Sequence, residues 1–239
     1  RLLIIHNIQQ RLGQRVEAAD LSEFDEVILA TGIVPRHLDL PGSDMPHVLS
    51  YTQVLRDKLP VGKRVAIIGA GGIGFDTAEY LSQFGQSTSL NSAAFAEEWG
   101  IDLQLKQRGG LAKDGMHPTH SPRKIYLLQR KTSKVGEGLG KTTGWIHRVS
   151  LQKRGVIMIN GAQYHHIDEH GLHLIRDGQI ECLPVDNVII CAGQESQQAL
   201  LAPLQNMGKT VHLIGGADVA RELDARRAID QGTRLALTI

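Results

Sequence analysis

Residues 64–85, RVAIIGAGGIGFDTAEYLSQFG, decide the fold class of this 239-residue chain. They begin with an apolar run typical of a buried strand and continue, after a glycine turn, with the apolar spacing of a helix that ends at Gly85. The turn, Gly69-Ala-Gly71-Gly-Ile-Gly74, matches the pattern G-x-G-x-x-G. This pattern between a strand and a helix predicts a dinucleotide-binding turn.

Each glycine of the turn has a predicted role. Gly69 allows the tight turn, Gly71 lets the backbone approach a pyrophosphate, and Gly74 lets the helix pack closely on the strand. The N–H groups at the start of the helix and its positive dipole end favour the phosphates. A turn that needs glycine only for packing is the alternative. The predicted cofactor contacts in this segment are Gly69, Ala70, Gly71, Gly72, Ile73 and Gly74.

The next strand predicts which dinucleotide is bound. Residues 125–129 form an apolar strand that runs into Arg130 and Lys131, and no acidic residue follows before Glu137. In this type of unit an acid at the strand end accepts from the ribose of NAD, whereas Arg or Lys binds the 2′-phosphate of NADP. The sequence therefore favours NADPH, with a solvated basic strand end as the alternative. The gap after the first helix is longer than usual, so we expect an insertion at 86–122.

Composition sets the broad class. The chain is 41% hydrophobic and only 4% aromatic, and it contains 26 glycines, which suits an α/β protein with tight turns. The net charge of +1 predicts neither nucleic acid nor an anionic membrane as a partner. No apolar run is long enough to span a bilayer, and no signal peptide is apparent. Cys182 and Cys191 lie in apolar, strand-like sequence and are expected to be buried free thiols of a cytoplasmic protein.

Patterns elsewhere predict the remaining elements. The expected strands lie at 16–21, 26–30 and 156–160, a small β-meander covers 162–190, and a last strand precedes a Gly-Gly-Ala-Asp turn and a long helix. The expected shorter helices lie at 51–58, 93–99 and 145–153.

Two segments resemble sites of other kinds. Residues 136–142, GEGLGKT, resemble a nucleotide triphosphate loop, but Val135 occupies the position of its first glycine. We expect a mobile loop there, from which Lys141 or Thr142 could reach a phosphate. His165, His166, His170 and His173 crowd one hairpin, whose turn explains their polarity, so no metal site is predicted.

Four stretches together resemble one family: VILATGIVPR at 27–36, the glycine turn, VDNVIICAGQE at 185–195 and VHLIGGADVARELDARRAIDQGTRLA at 211–236. They are similar to flavoproteins with two dinucleotide-binding domains, in particular the C-terminal half of the bacterial NADPH-dependent 2,4-dienoyl-CoA reductases. LLQRK at 127–131 and GLGKTTGWIHR at 138–148 add to this resemblance, which covers essentially the whole chain. Trimethylamine dehydrogenase and other old-yellow-enzyme fusions are relatives of that family.

The resemblance implies a Rossmann-like NADPH-binding domain at 61–185 inserted into a partial FAD-binding domain at 1–60 and 186–239. It implies that Thr31 and Gly32 lie beneath the flavin nucleotide, and that Gly216 and Asp218 contact the flavin, with an N-terminal helix cap as the alternative role of Asp218. It also gives Ala192 and Gly193 a place on the nicotinamide side.

The resemblance further implies a division of labour along a longer polypeptide. An N-terminal FMN barrel, a 4Fe-4S (iron–sulfur) site and the first FAD fingerprint would precede residue 1, so this chain would be a fragment without a catalytic residue of its own. NADPH would reduce FAD, and electrons would pass to the FMN module for unsaturated fatty acid β-oxidation. The alternatives are the equivalent domain of an amine dehydrogenase or enoate reductase, or an NADPH-sensing module without catalysis.

Overall fold

The structure is a computed structural model that describes residues 5–221 and 225–239. The chain forms two compact units and crosses between them twice. The split unit consists of Arg1–Val34 with Gln194–Ile239, and the central unit consists of Pro35–Gly193.

Strands alternate with short helices along much of the chain. The strands are β1 (Glu26–Leu29), β2 (Ile33–Pro35), β3 (Val48–Ser50), β4 (Arg64–Ile68), β5 (Lys124–Leu128), β6 (Ile157–Ile159), β7 (Gln163–Asp168), β8 (Gly171–Arg176), β9 (Gln179–Pro184), β10 (Asn187–Ile190), β11 (Gln194–Ser196) and β12 (Thr210–Leu213). The α-helices are α1 (Tyr51–Leu55), α2 (Gly72–Ser82), α3 (Ser92–Trp99), α4 (Gly144–Lys153), α5 (Leu201–Asn206) and α6 (Ala225–Ala236). Short 3₁₀ turns occur at Ala18–Leu21, Thr88–Leu90, Arg108–Gly110 and Gly215–Ala217.

The central unit is built on a parallel sheet with the strand order β3-β10-β4-β5-β6. Side chains of β4 alternate between its two faces. Val65 and Ile67 pack with α2 and α4, whereas Ala66 and Ile68 pack against the antiparallel meander β7-β8-β9. Both faces are therefore covered, which explains why β4 is a continuous apolar run. The predicted α/β class with a parallel sheet is confirmed.

The split unit contains a smaller parallel pair, β1 with β12, and a separate pairing of β2 with β11. Its core is formed by Val27 and Leu29 of β1 and by Leu204 of α5. Apolar residues around the 3₁₀ turn Ala18–Leu21 pack against this core.

Several predicted elements differ from the structure. Residues 16–21 do not form a strand, because Asp20 accepts a hydrogen bond from the backbone N–H of Glu17 and closes the 3₁₀ turn Ala18–Leu21. The meander ends at Pro184, and β10 pairs with β3 and β4 in the parallel sheet instead. Cys182 is exposed on β9, so only Cys191 matches the predicted burial.

The boundaries between the units also differ from the predicted 60/61 and 185/186. Because β3 and β10 pair within the central sheet, residues 35–60 and 186–193 belong to the central unit. The assignment of FAD and NADPH to the two units remains a proposal. No helix within residues 5–221 and 225–239 is long and apolar enough to cross a membrane.

The predicted insertion at 86–122 is an ordered excursion that carries α3. Glu98 of α3 is buried and forms an ion pair of 2.5 Å with Arg154, which follows α4. Thr88 donates its hydroxyl to the same carboxylate, and Ser121 donates its N–H to the carbonyl of Arg154. The two ends of the insertion are thus fastened near the end of α4.

Candidate dinucleotide-binding site

Three strands bring the predicted NADPH residues to one edge of the central sheet. In the parallel register, Ile190 of β10 is paired with Ile68 of β4, which is paired with Leu128 of β5. The residues that follow these strands therefore lie side by side at the carboxyl edge, where ligands of open α/β sheets bind. These residues are 191–193, 69–74 and 129–131.

Gly69 makes the tight turn that the sequence predicts. Its φ is +107°, and its N–H donates to the carbonyl of Leu128 over 2.9 Å. A Cβ at this position would lie 2.5 Å from the carbonyl oxygen of Cys191. Glycine at position 69 is thus required both by backbone conformation and by the neighbouring strand end.

Gly74 and Gly71 are glycines for different reasons. A Cβ on Gly74 would lie 1.9 Å from the carbonyl oxygen of Gly69, so glycine is needed for the helix to approach the turn. Gly71 is the N-cap of α2 with φ −84°, a conformation open to any residue, and a Cβ there would meet no protein atom within 4 Å. Packing within the chain explains Gly74 but does not explain Gly71.

The other residues of the turn have mixed environments. Gly72 is exposed, and a Cβ on it would also point into open space. Ala70 and Ile73 are partly buried and pack against the core between the sheet and the helices. Ile73 is further held by a hydrogen bond of 2.7 Å from the hydroxyl of Thr77 to its carbonyl oxygen. Ile73 therefore contributes to packing, and Gly72 to an open surface.

Arg130 and Lys131 are exposed on a turn whose backbone is fixed. Gln129 donates its side-chain amide to the carbonyl oxygens of Lys131 and Ser133, and Gly161 donates its N–H to Lys131. In the described part of the chain, the side chains of Arg130 and Lys131 form neither an ion pair nor a hydrogen bond. Burial raises the pKa of nearby Tyr164, while the charge of Arg130 opposes that rise. Within the described residues, the end of β5 thus carries two exposed cations that form no hydrogen bond or ion pair through their side chains.

The loop after β5 is anchored, in contrast to the mobile loop that was predicted. Arg148 donates hydrogen bonds to the carbonyl oxygens of Val135 and Gly136, at 2.9 and 3.0 Å. Val135 is buried, and a Cβ on Gly136 would lie 2.5 Å from the ring of Phe75. Lys141 and Thr142 are exposed further along the loop.

Ala192 and Gly193 lie on the other side of the glycine turn. The N–H of Cys191 donates to the carbonyl of Ile68 over 2.8 Å, which brings Ala192 against Gly69. Gly193 has φ +107° and accepts a hydrogen bond from the N–H of Arg36. Burial raises the pKa of the Cys191 thiol to about 12, with the hydroxyl of Thr77 acting against this shift, so this thiol is not a reactive group at neutral pH.

The residues predicted to contact the flavin lie in the split unit. A Cβ on Gly216 would lie 3.1 Å from the carbonyl carbon of Gly32, so these two glycines are in contact. The Thr31 hydroxyl donates to the carbonyl of Gln197 over 2.5 Å, and Asp218 accepts a bond of 2.8 Å from Gln231 of α6. Within the described residues, these contacts account for Gly216, Thr31 and Asp218, whereas glycine at position 32 is explained by its φ of +76°.

One cluster was missed by the sequence analysis. His166, Asp168 and His173 place one ligand atom each within 4.8 Å of one another on the meander. The hairpin turn alone does not reveal this convergence, because it depends on which face of each strand the side chains occupy. The cluster lies among residues for which no metal site was predicted.

The parallel sheet, the glycine turn and the edge described above define a Rossmann-type dinucleotide-binding protein. Residues 7–226 match the family described as pyridine nucleotide-disulphide oxidoreductase, and the chain belongs to this family. Members of the family bind FAD and NAD(P)H.

Similar proteins are reductases and oxidases of greater length. A metal reductase of Desulforamulus reducens is 24% identical over 208 residues, covering 87% of this chain and 30% of that protein. The structure of a 2-naphthoyl-CoA reductase has a TM-score of 0.74 with 18% identity, covering 99% of this chain and 30% of the other. The 6-hydroxypseudooxynicotine amine oxidase of Pseudomonas geniculata N1 has a TM-score of 0.69 with 21% identity, covering 95% of this chain and 31% of the other. The chain therefore spans about 30% of the length of these relatives.

Proposed function

We propose that this chain is the NADPH-binding portion of a flavoprotein reductase of the 2,4-dienoyl-CoA reductase type. Gly71 carries the proposal, since it is a glycine at the start of α2 that no protein atom requires. Space left open at a helix N-terminus is what a dinucleotide pyrophosphate needs, and the N–H groups and dipole of α2 favour its negative charge.

The residues at the sheet edge fit NADPH in chemistry. Gly71 and Gly72 leave room beside the first turn of α2, and Gly69 and Gly74 keep that turn close to β4. The guanidinium of Arg130 and the ammonium of Lys131 are suited to the 2′-phosphate, since charge-assisted bonds to a phosphate are stronger than neutral ones. Ala192 and Gly193, against the other side of the turn, are assigned to the nicotinamide end.

FAD is assigned to the split unit on weaker grounds. Gly216, Thr31 and Asp218 have contacts within the unit, and the φ of +76° explains glycine at position 32, so their geometry alone does not demand a ligand. The family as a whole binds FAD, and this supports the assignment. In such flavoproteins the cofactors supply hydride transfer from nicotinamide to flavin, and the protein binds and orients them.

The whole protein's substrate is a further step of the proposal. A 2-naphthoyl-CoA reductase is among the similar structures, which is compatible with reduction of an unsaturated acyl-CoA by a module with FMN and an iron–sulfur cluster. We propose that such a module would belong to a longer polypeptide, as in relatives of which this chain covers about 30%, and we assign no catalytic residue to this chain. The likeness to the amine oxidase favours a second candidate, an amine-oxidising flavoprotein.

Titration of the chain with NADPH and NADH side by side tests the proposal. We expect NADPH to bind more tightly than NADH. Arg130→Ala should weaken the binding free energy of NADPH by about 1–3 kcal/mol, the value of a lost set of charged hydrogen bonds. The same substitution should leave the affinity for NADH almost unchanged. The matched control is Arg108→Ala, which removes another exposed arginine of the central unit.

Two results would contradict this assignment. An equal loss of affinity for NADPH and NADH in Arg130→Ala would mean that Arg130 does not bind the 2′-phosphate. Equal affinity of the unaltered chain for NADH and NADPH would mean that the basic strand end does not select the 2′-phosphate.

A further inference from the structure

The outer face of the meander carries a cluster of side chains that the dinucleotide site does not use. Leu172 and Leu174 of β8 point inward and pack on the parallel sheet, so His173 between them points outward. The ladder pairs His173 with His166 of β7, and the two imidazoles stack with centroids 4.0 Å apart. Asp168, two residues after His166, lies on the same face.

A β-bulge creates this arrangement. The register of β7 with β8 shifts between Tyr164, opposite Leu174, and His166, opposite His173. In an unbroken ladder, His165 would be the residue opposite His173, and His166 would point towards the core. The extra residue in β7 therefore aims His166 outward, a use of bulges that is common beside functional sites.

Two of the three separations between ligand atoms are close to those around a tetrahedral metal ion, and the stacked imidazoles have to turn about χ2 to direct both lone pairs at one ion. Oδ2 of Asp168 lies 2.9 Å from Nε2 of His173 and 3.7 Å from Nε2 of His166. Zinc bonds of about 2.0–2.1 Å in tetrahedral geometry place ligand atoms about 3.3 Å apart, between these two values. Nε2 of His173 is also buried and makes no hydrogen bond of good geometry with the described residues, despite its proximity to the carboxylate.

The surrounding contacts hold two of the ligands in position. Oδ1 of Asp168 accepts hydrogen bonds from the backbone N–H groups of His170 and Gly171, which leaves Oδ2 directed at the histidines. Nδ1 of His166 lies 2.7 Å from Nδ1 of His165, so His165 can accept the proton of Nδ1 and leave Nε2 of His166 with its lone pair. Ligating histidines in metal sites commonly have such a partner at the second nitrogen.

From this geometry we infer that His166, Asp168 and His173 form a binding site for a divalent transition-metal ion of the Zn²⁺ type. Two imidazole nitrogens and one carboxylate oxygen match the donors that zinc accepts, and they leave a fourth position open. Calcium and magnesium prefer oxygen ligands alone and do not fit this set. The inference does not depend on dinucleotide binding.

Calorimetric titration of the tag-free, EDTA-treated chain with ZnCl₂ tests the site. We expect one Zn²⁺ per chain, with affinity reduced at least about tenfold in Asp168→Asn and in His166→Gln, and about 10- to 100-fold in His165→Ala through loss of the supporting contact. The control His170→Gln alters the exposed histidine of the same hairpin and should bind as the unaltered chain does. Cobalt should give the intense visible bands of tetrahedral coordination, and these should be lost in both ligand variants.

The comparison remains decisive if one variant folds poorly. Thermal unfolding in EDTA identifies such a variant. If Asp168→Asn disturbs the turn that Asp168 caps, His166→Gln still tests the site, because it does not alter that turn. Absence of Zn²⁺ binding to the unaltered chain would overturn the inference and leave a cross-strand ion pair. Binding that survives in a folded His166→Gln variant but is lost in His170→Gln would also overturn it, because the ion would then lie elsewhere.

Discussion

The carbonyl oxygen of Gly69 is the atom that makes glycine necessary at position 74, because a Cβ there would lie 1.9 Å from it. The obstacle is backbone, which cannot rotate away as a side chain could. Gly72, two residues earlier in the same turn, has open space in its Cβ direction. Neighbouring glycines of one motif thus carry different constraints.

We expect Gly74→Ala to lower the free energy of unfolding by about 1–3 kcal/mol, as overpacking does elsewhere. Gly72→Ala should leave it unchanged or raise it by up to about 1 kcal/mol, because alanine restricts the unfolded chain and favours the helix. Urea denaturation of the two variants measures the difference. Equal stability of the two variants would contradict the packing role of Gly74.

The two cysteines should differ in reactivity. Cys182 is exposed, whereas Cys191 is buried and its burial raises the pKa of the thiol to about 12, so Cys191 is protonated at pH 8. Titration with a thiol reagent in EDTA should therefore modify one thiol per folded chain and two per unfolded chain. Cys182→Ser should show almost none when folded, and rapid labelling of that variant would refute the burial of Cys191.

At the scale of residues, the sequence predicts the roles of Gly69 and Gly74, which follow from local backbone geometry. It does not predict the cluster of His166, Asp168 and His173, since a single bulged residue decides which face His166 occupies. The prediction that Cys182 is buried was wrong for a similar reason, because one face of an apolar strand can still be exposed to solvent.

At the scale of elements, the buried pair Glu98–Arg154 fastens the insertion to the end of α4, with side chains 7% and 11% exposed. Removal of one charge leaves the other buried without compensation, which costs about 3–5 kcal/mol. We therefore expect Glu98→Ala to destabilise the protein by about that amount in denaturant titration. Glu97→Ala removes the adjacent, exposed glutamate and should have little effect, so similar losses in both would argue against a specific anchor.

Asp186 ties the turn before β10 to the start of β4. The guanidinium of Arg64 and the backbone N–H groups of Arg64 and Lys63 lower the pKa of this carboxyl, while its desolvation acts in the opposite direction. A lowered folded pKa stabilises the protein above the unfolded pKa of about 3.9, and this contribution is lost as pH falls through the folded value.

Asp186→Asn should therefore lower the thermal midpoint at pH 7, and the difference from the unaltered chain should shrink below about pH 3.9. Asp114→Asn, at an exposed aspartate of the same unit, serves as the control. A difference that stays constant from pH 7 to pH 3 would mean that the carboxylate charge is not responsible.

The strongest periodic patterns predicted their elements well, as for β4, α2 and α4. Short elements were less predictable. Local capping by Asp20 closes a 3₁₀ turn at Ala18–Leu21 in place of the predicted strand at 16–21, and β10 joins the parallel sheet through pairing with residues far away in sequence. Neither interaction is encoded in the hydrophobic pattern of the segment itself.

At the scale of the whole molecule, the sequence predicts an inserted Rossmann-like domain, and the structure has two compact units with a discontinuous split unit. The compact units differ from the predicted boundaries because β10 pairs with β4 in the central sheet and β3 joins the sheet through β10. The chain spans about 30% of the length of the metal reductase and of the 2-naphthoyl-CoA reductase. The position of the candidate dinucleotide site was predictable because the carboxyl ends of adjacent parallel strands lie at the same edge of the sheet.

The measurement that tests the central claim most directly is NADPH titration of the unaltered chain, Gly71→Ala and Gly72→Ala by calorimetry. We predict that Gly71→Ala remains folded but binds NADPH at least about tenfold more weakly, about 1.4 kcal/mol, because its Cβ occupies the space assigned to the pyrophosphate. Gly72→Ala, at the other position whose Cβ direction is open, should also bind NADPH more weakly. Equal and unaltered NADPH binding in both variants would contradict the placement of the dinucleotide at this turn.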